Sequence, residues 1–239
     1  QRGEFDRVEP FLLEHIASAE ARNDPATALS LLNELMGYYR SVSRLREAIA
    51  ASDKALALLE AMGLKQSLHY ATTLLNVATA YRADGQTARA IELFEDVRRR
   101  FAALNVQDVY LLATLYNNFS MAWQEAGEHD KAMDCLQTAL PLIRSRPGSE
   151  ADVAVTLTNL ALSQDALGLI DLARASLTEA ITLFEALPRN SGHYPAALAA
   201  LANLEYKTGR EEAAIALYQK ALAQTEARYG KNRDYLVTL

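Results

Sequence analysis

Asparagine recurs in this chain where a better helix former would be expected. Asn76, Asn118 and Asn159 each stand nine residues ahead of a glycine (Gly85, Gly127, Gly168), and Asn33, Asn117 and Asn203 lie near the same place. A carboxamide neither attacks nor relays protons; it donates and accepts hydrogen bonds from one short side chain. A row of carboxamides can grip an extended peptide backbone, which presents donors and acceptors at regular intervals. It can equally bridge neighbouring helices or meet solvent, and the spacing is compatible with either use.

The more reactive residue types do not converge. His15, His69, His129 and His193 fall in separate segments, and the matching positions of His69 and His193 point to a structural or capping role. Cys135 is the single cysteine, so no intrachain disulfide can form, and its place beside Leu136 predicts a partly buried, inert thiol with Lys131 as the nearest cation. Asp53, Glu211 and Glu212 fit solvated helix faces. No metal-ligand spacing, phosphate loop or nucleophile motif occurs. The expectation is a protein without enzymatic activity, cofactor or metal. Tyr38, Tyr39, Tyr81, Tyr110 and Tyr116 fall at packing positions, whereas Tyr206, beside Lys207 and Arg210, points elsewhere.

The elements that would position these side chains follow from a repeat. Gly85, Gly127, Gly168 and Gly209 are 42, 41 and 41 residues apart. Eight, seven and four residues before them come Val77, Ala78, Tyr81; Phe119, Ser120, Trp123; Leu160, Ala161, Gln164; and Leu201, Ala202, Glu205. Those offsets share one helical face, with a small residue where a neighbouring helix must come close. Five, nine and twelve residues after the glycines come Ala90, Phe94, Val97; Ala132, Leu136, Ala139; Ala173, Leu177, Ala180; and Ala214, Tyr218, Ala221, the stripe of a second amphipathic helix. The glycine between them suits a helix C-terminus that needs positive φ.

Ser43 takes the glycine's place in an earlier copy, with Leu35, Met36 and Tyr39 before it and Ala48, Ser52 and Ala55 after it. Val8, Leu12 and His15 follow Gly3 as a second helix would, and residues 234–239 resemble the opening of a first helix. The reading is one array over residues 1–239: a half-unit 1–23, repeats at about 24–65, 66–107, 108–149, 150–190 and 191–231, and the start of another at 232–239. Pro147-Gly148-Ser149 and Pro188-Arg189-Asn190-Ser191-Gly192 mark unit boundaries, and Asp24-Pro25 and Pro195 mark helix starts. Pro10 is expected in a first turn and Pro141 at a kink or helix end.

Half of the 239 residues are hydrophobic, ample for a continuous core. The net charge of −6 and the absence of a basic stripe argue against nucleic acid, and Arg98-Arg99-Arg100 fits a helix C-terminus. No stretch approaches a membrane span and no signal peptide opens the chain, so a cytoplasmic location is expected. Opening on Gln1, the sequence is expected to be part of something longer.

The strings Asn76-Val77-Ala78-Thr79-Ala80-Tyr81 before Gly85 and Asn159-Leu160-Ala161 before Gly168, with Ala90 and Phe94 following, resemble tetratricopeptide repeats. The period exceeds the usual 34 residues; it is similar to the longer kinesin-light-chain variety also found in bacterial repeat proteins. The resemblance implies an all-α, right-handed superhelical solenoid whose first helices line a concave groove. Residues thirteen, ten, six and three before each turn would face that groove. Asn33, Arg40, Asn76, Arg82, Asn117, Asn118, Met121, Gln124, Asn159, Asn203 and Tyr206 are the candidate contacts. The charges there are mixed and lack the repeated Lys/Asn pattern of a carboxylate clamp. The implied function is a scaffold for a protein or peptide partner. The alternative is a sensor or self-assembly segment of a larger regulatory protein, associating through its terminal units.

Overall fold

The computed structural model describes residues 2–187 and 191–229. It is all-α, with eleven helices and no strand among the described residues. They are α1 (Arg2–Ala21), α2 (Pro25–Ser41), α3 (Leu45–Ala61), α4 (Leu68–Ala83), α5 (Thr87–Ala103), α6 (Val109–Glu125), α7 (His129–Arg144), α8 (Glu150–Ala166), α9 (Ile170–Ala186), α10 (Tyr194–Lys207) and α11 (Glu211–Tyr229). The chain divides into two compact units, Gln1–Leu111 and Leu112–Leu239. In the first, α1 to α5 pack on one another in sequence order; in the second, α7 to α11 do so, and α8 also touches α10. The predicted segments at residues 188–190 and 232–239 lie outside the described residues.

The turns follow from local chemistry. Gly85, Gly127, Gly168 and Gly209 all have φ between +74° and +78°. At Gly168, its N–H donates to the Asp165 carbonyl at 3.0 Å and the next N–H, of Leu169, reaches the Gln164 carbonyl at 2.8 Å. That pair of bonds closes the helix end only with positive φ at the hinge residue. Ser43 makes the same turn at φ +60°, with Arg44 N–H donating to the Tyr39 carbonyl at 2.8 Å. Asn23, Gly63, Asn105 and Gly148 have positive φ after the second helices. Starts are fixed as predicted for Asp24, which accepts the Thr27 N–H at 3.1 Å ahead of Pro25, and by Ser67, which accepts from Tyr70 N–H at 3.2 Å.

The packing stripes are buried. Ala78, Ala90, Phe94, Val97, Ser120, Ala132, Leu136, Ala139, Ala161, Ala173, Ala180, Ala202 and Ala221 are wholly inaccessible, while Leu201 and Tyr218 are half-buried. Alanine at the closest approaches lets backbones draw together, and packed interiors leave no slack for a larger side chain. In α1 the stripe is covered only in part: Leu12 is buried, Val8 half-buried and His15 exposed, with Ile16 and Ala19 completing the contact with α2.

Three tyrosine clips tie consecutive helices. Tyr39 donates to Glu9 (2.8 Å), Tyr70 to Glu60 (2.9 Å) and Tyr194 to Glu185 (2.8 Å). Arg44, Arg100 and Lys220 lie over the respective rings at 4.7, 4.7 and 5.8 Å. Burial, reinforced by the carboxylate it donates to, pushes the Tyr70 hydroxyl up to about 12. In the second unit Glu205 is buried and held by Arg174 Nε at 2.7 Å and Arg210 Nη1 at 3.2 Å.

Several expectations are corrected. Pro10 sits inside α1 on its exposed side, because the helix already begins at Arg2; a carbonyl left without an amide there can be hydrated. Pro141 stands in the last turn of α7, three residues before its end at Arg144 and so close to the helix end expected there. Neither His69 nor His193 caps a helix with its ring, since Ser67 caps α4 and His193 makes no side-chain cap bond. Tyr110 is 59% exposed rather than packed.

Candidate functional site

The candidate contacts lie on the first helices of the hairpins: α2 and α4 in the first unit, α6, α8 and α10 in the second. The two units use them differently.

In the second unit most of the polar candidates are consumed internally. The Asn117 carboxamide donates to Thr156 Oγ1 at 3.2 Å, and Asn118 donates to the Thr114 carbonyl at 2.9 Å. Gln124 Nε2 reaches the Asn159 carbonyl at 2.7 Å and Ser163 Oγ at 2.8 Å, stitching α6 to α8. Asn203 Oδ1 accepts from the Tyr218 hydroxyl at 2.5 Å. Asp165 pairs with Lys207 at 2.5 Å, and Arg210 with Glu205, so neither cation stays with Tyr206 as the sequence suggested. What remains open is largely apolar: Met121 is half-buried, Leu162 46% exposed and Tyr206 64% exposed. The Asn159 side chain is half-buried, with only its backbone carbonyl engaged by Gln124. Thr158, also on the predicted stripe, is buried and bonded to its own helix.

In the first unit Asn33, Asn76 and Arg40 stand apart from this pattern. Asn33 Oδ1 is buried with no hydrogen-bond partner, and half-buried Asn76 and Arg40 make no side-chain bond among the described residues. A buried carboxamide oxygen without a donor carries an unmet desolvation cost, so a donor brought by a ligand would be used. Thr72 hands its hydroxyl to the His69 carbonyl (3.0 Å) and Thr79 to the Leu75 carbonyl (2.9 Å); Leu75 and Thr79 are buried, closing that part of the stripe. Burial, with the like charge of Arg82 second, draws the Arg40 guanidinium below its ordinary range. Arg82 itself is half-buried.

Beside this stripe lies a feature that side-chain type did not announce. A cavity of about 600 Å³ opens between α1 and α2, lined by Arg7, Val8, Phe11, Leu12, Glu34, Gly37, Tyr38 and Ser41. A side-chain carbon placed on Gly37 would meet nothing within 4 Å, so the glycine keeps this wall open. Gly37 belongs to the predicted stripe as well, and Asn33 and Arg40 stand four and three residues from it on the same face.

The described residues contain no cluster of histidine, cysteine or carboxylate groups suited to a metal ion. Cys135 is buried and 8% exposed. No described helix is long and apolar enough to cross a membrane.

The Tetratricopeptide repeat family model matches residues 24–103 and 111–186, and a second model of the same description matches 195–227. Among solved structures, BtubC (BKLC) from P. vanneervenii superposes with a TM-score of 0.78 at 18% identity, covering 95% of this chain and 93% of that one. Kinesin light chain TPR-like repeats from Podosopora anserina give 0.69 at 20% identity, with 84% and 96% covered. NprR, solved in complex with its cognate peptide NprX, gives 0.62 at 14% identity over 99% of this chain and 75% of that chain. No curated protein sequence matches this one.

Proposed function

The chain belongs to the tetratricopeptide repeat family, and from that premise we propose that it is a non-catalytic scaffold that holds an extended peptide segment along its first helices. The observation that carries this reading is the contrast among the polar side chains. In the first unit Asn33 Oδ1 is buried without a hydrogen-bond partner, and half-buried Asn76 and Arg40 make no side-chain bond among the described residues. Folding alone does not explain a buried carboxamide oxygen kept without a donor, because it loses water without gaining a bond. A peptide backbone supplies the missing donors and acceptors at strand-like spacing, and the cavity at Gly37 gives one of its side chains a place to sit. NprR, which shares the fold, has been solved with a peptide, and that is consistent with the proposal.

The test is selection of binders from a random dodecapeptide display library on the whole chain. Each selected peptide is then titrated by fluorescence anisotropy against the parent and against Asn33→Ala/Asn76→Ala. The proposal expects affinity to fall by about tenfold or more in the double variant, as for the loss of two hydrogen bonds. Arg89→Ala, on the second helix α5, should bind as the parent does. Selected peptides that bind both variants equally well would refute the groove reading.

A further inference from the structure

We propose that the cavity between α1 and α2 is the seat of an amphipathic α-helix from another protein, docked as the first helix of a hairpin whose second helix is α1. Near its C-terminal end that helix carries a small residue and, three residues later, an aromatic one. The proposal goes beyond the groove reading, in which an extended segment lies on the exposed stripe of the first helices. The two occupants share the cavity at Gly37 and would compete for it.

In the repeat register, the cavity walls fall on positions that elsewhere receive a first helix. Phe11 corresponds to Ala51, Leu93, Cys135 and Ser176, all of them buried, yet Phe11 is 55% exposed. Tyr38 corresponds to Ala80, Ala122, Ser163 and Leu204, again all buried, yet Tyr38 is half-buried. The second unit shows what covers these positions. Ser176 donates to Gln164 Oε1, on the first helix of its own hairpin, at 2.9 Å. Ser163 accepts from Gln124 Nε2, on the preceding first helix, at 2.8 Å. The same amide reaches the carbonyl of Asn159, the counterpart of Glu34, at 2.7 Å. A first helix thus lies against both the second helix of its hairpin and the next first helix. Among the described residues none covers Phe11, and a cavity of about 600 Å³ stands in its place.

The chain's own hairpins give the chemistry of the occupant. Seven and four residues before their turns, α4 carries Ala78 and Tyr81, and α6 carries Ser120 and Trp123. Lys131 Nζ lies 4.5 Å from the centre of the Trp123 ring. Arg7 is the counterpart of Lys131 on α1. An aromatic ring at that place in a docked helix would meet the Arg7 guanidinium and the exposed Phe11 ring. The docked helix runs antiparallel to α1, as a hairpin requires, so its C-terminal end comes to Arg7, whose charge complements the helix dipole.

The seat's residues point to a separate partner rather than a built-in helix. The position of Val8 is alanine in every later hairpin (Ala48, Ala90, Ala132, Ala173 and Ala214), and that of Tyr38 is alanine, serine or leucine. Val8 and Tyr38 hold an incoming helix farther off, and Gly37 leaves room for a side chain from it. Aromatic residues with a polar tip suit an interface that forms between molecules better than the closest helix contacts.

The probe is a synthetic peptide of residues 67–84, which contains Ala78 and Tyr81. It is labelled with fluorescein, blocked at both ends and held helical by a lactam bridge on the face away from those two residues, since an isolated helix of this length is marginal. The controls are the same peptide with Tyr81→Ala and an unbridged one with Ala78→Pro. Each is titrated by fluorescence anisotropy against the whole chain: parent, Phe11→Asp, Arg7→Gln and Asn33→Ala/Asn76→Ala. The expected result is binding of the bridged probe to the parent, weakened about tenfold or more by Phe11→Asp and in the proline control. Tyr81→Ala should cost more affinity with the parent than with Arg7→Gln. Asn33→Ala/Asn76→Ala should bind the bridged probe as the parent does, so failure here and failure of the groove reading are told apart. Phe11→Asp should unfold at the parent's denaturant midpoint, because the ring is exposed; if that midpoint falls, Arg7→Gln decides. No binding, equal binding to parent and Phe11→Asp, or a proline control as tight as the bridged probe overturns the proposal. So does loss of the bridged probe in Asn33→Ala/Asn76→Ala, which would put it in the groove. Light scattering of the chain alone gives the remaining outcome: a mass that rises with concentration in the parent but not in Phe11→Asp would make the occupant a second copy and overturn the assignment to another protein.

Discussion

Replacing Gly168 by alanine and Ser43 by glycine should move stability in opposite directions. Both residues close the same two-bond helix end, at φ +74° and +60°. An L-residue in that region costs about 1–2 kcal/mol relative to its right-handed form. Alanine recovers roughly 0.4–1 kcal/mol by restricting the unfolded chain. No atom lies within 4 Å of a side-chain carbon built at Gly168, so no clash adds to the balance. The net loss for Gly168→Ala is therefore about 1 kcal/mol, and Ser43, exposed and without a side-chain bond, should yield a gain of similar size as glycine. The assay is urea unfolding followed by helical circular dichroism at constant m. At a slope of roughly 2.5 kcal/mol per molar urea, each change shifts the midpoint by about 0.4 M. A neutral Gly168→Ala, or two shifts of the same sign, would refute the claim that the backbone at these turns, rather than contacts around them, sets the requirement.

Three further outcomes follow from the packing. Arg174→Met should cost about 2–3 kcal/mol in chemical denaturation, less than a fully orphaned buried ion because Arg210 still reaches Glu205; adding Glu205→Leu should recover most of the loss. Ala161→Leu, at a wholly buried contact, should destabilise by about 1–3 kcal/mol and lower the thermal midpoint, whereas Tyr206→Ala should leave that midpoint unchanged because the ring is exposed. Arg44 and Tyr39 donate to Glu9 and hold its carboxyl below the ordinary carboxylate range. A depressed folded value stabilises above the unfolded value and is lost as pH falls through the folded one. Urea midpoints taken between pH 7 and pH 3 should therefore fall more in the parent than in Glu9→Gln, with the difference between them closing below the carboxylate range.

Much of the fold was legible because it rests on short-range rules. The glycine period, the alanines at close approaches and the i, i+4, i+7 stripes each report a steric requirement within one hairpin, and Ser43 could be placed by its neighbours alone. Pro10 misled because a single proline on an exposed helix face is tolerated when its neighbours continue the helix. The candidate site was harder, because whether an amide is spare depends on the residue opposite it in the next hairpin. Asn117 meets Thr156 and Gln124 meets Ser163, each 39 residues on. In the first unit the residue that corresponds to Thr156, twelve before its turn glycine, is Thr73, yet Asn33 Oδ1 has no hydrogen-bond partner. A search at that step would have raised the question, but only geometry answers it. The cavity at Gly37 was hidden for a related reason: it depends on how α1 lies on α2.

The central claim, that a partner segment lies along the first helices, is tested most directly by site-specific photocrosslinking. Benzoylphenylalanine is placed singly at Gly37 and Thr72 on α2 and α4, and at Lys54 and Arg89 on α3 and α5. Each variant is irradiated with a selected peptide at a concentration that half-saturates the parent. The account predicts adducts from positions 37 and 72 that an excess of unlabelled peptide suppresses, and none above background from 54 and 89. Suppressible adducts confined to positions 54 and 89 would place the partner on the second helices and contradict it.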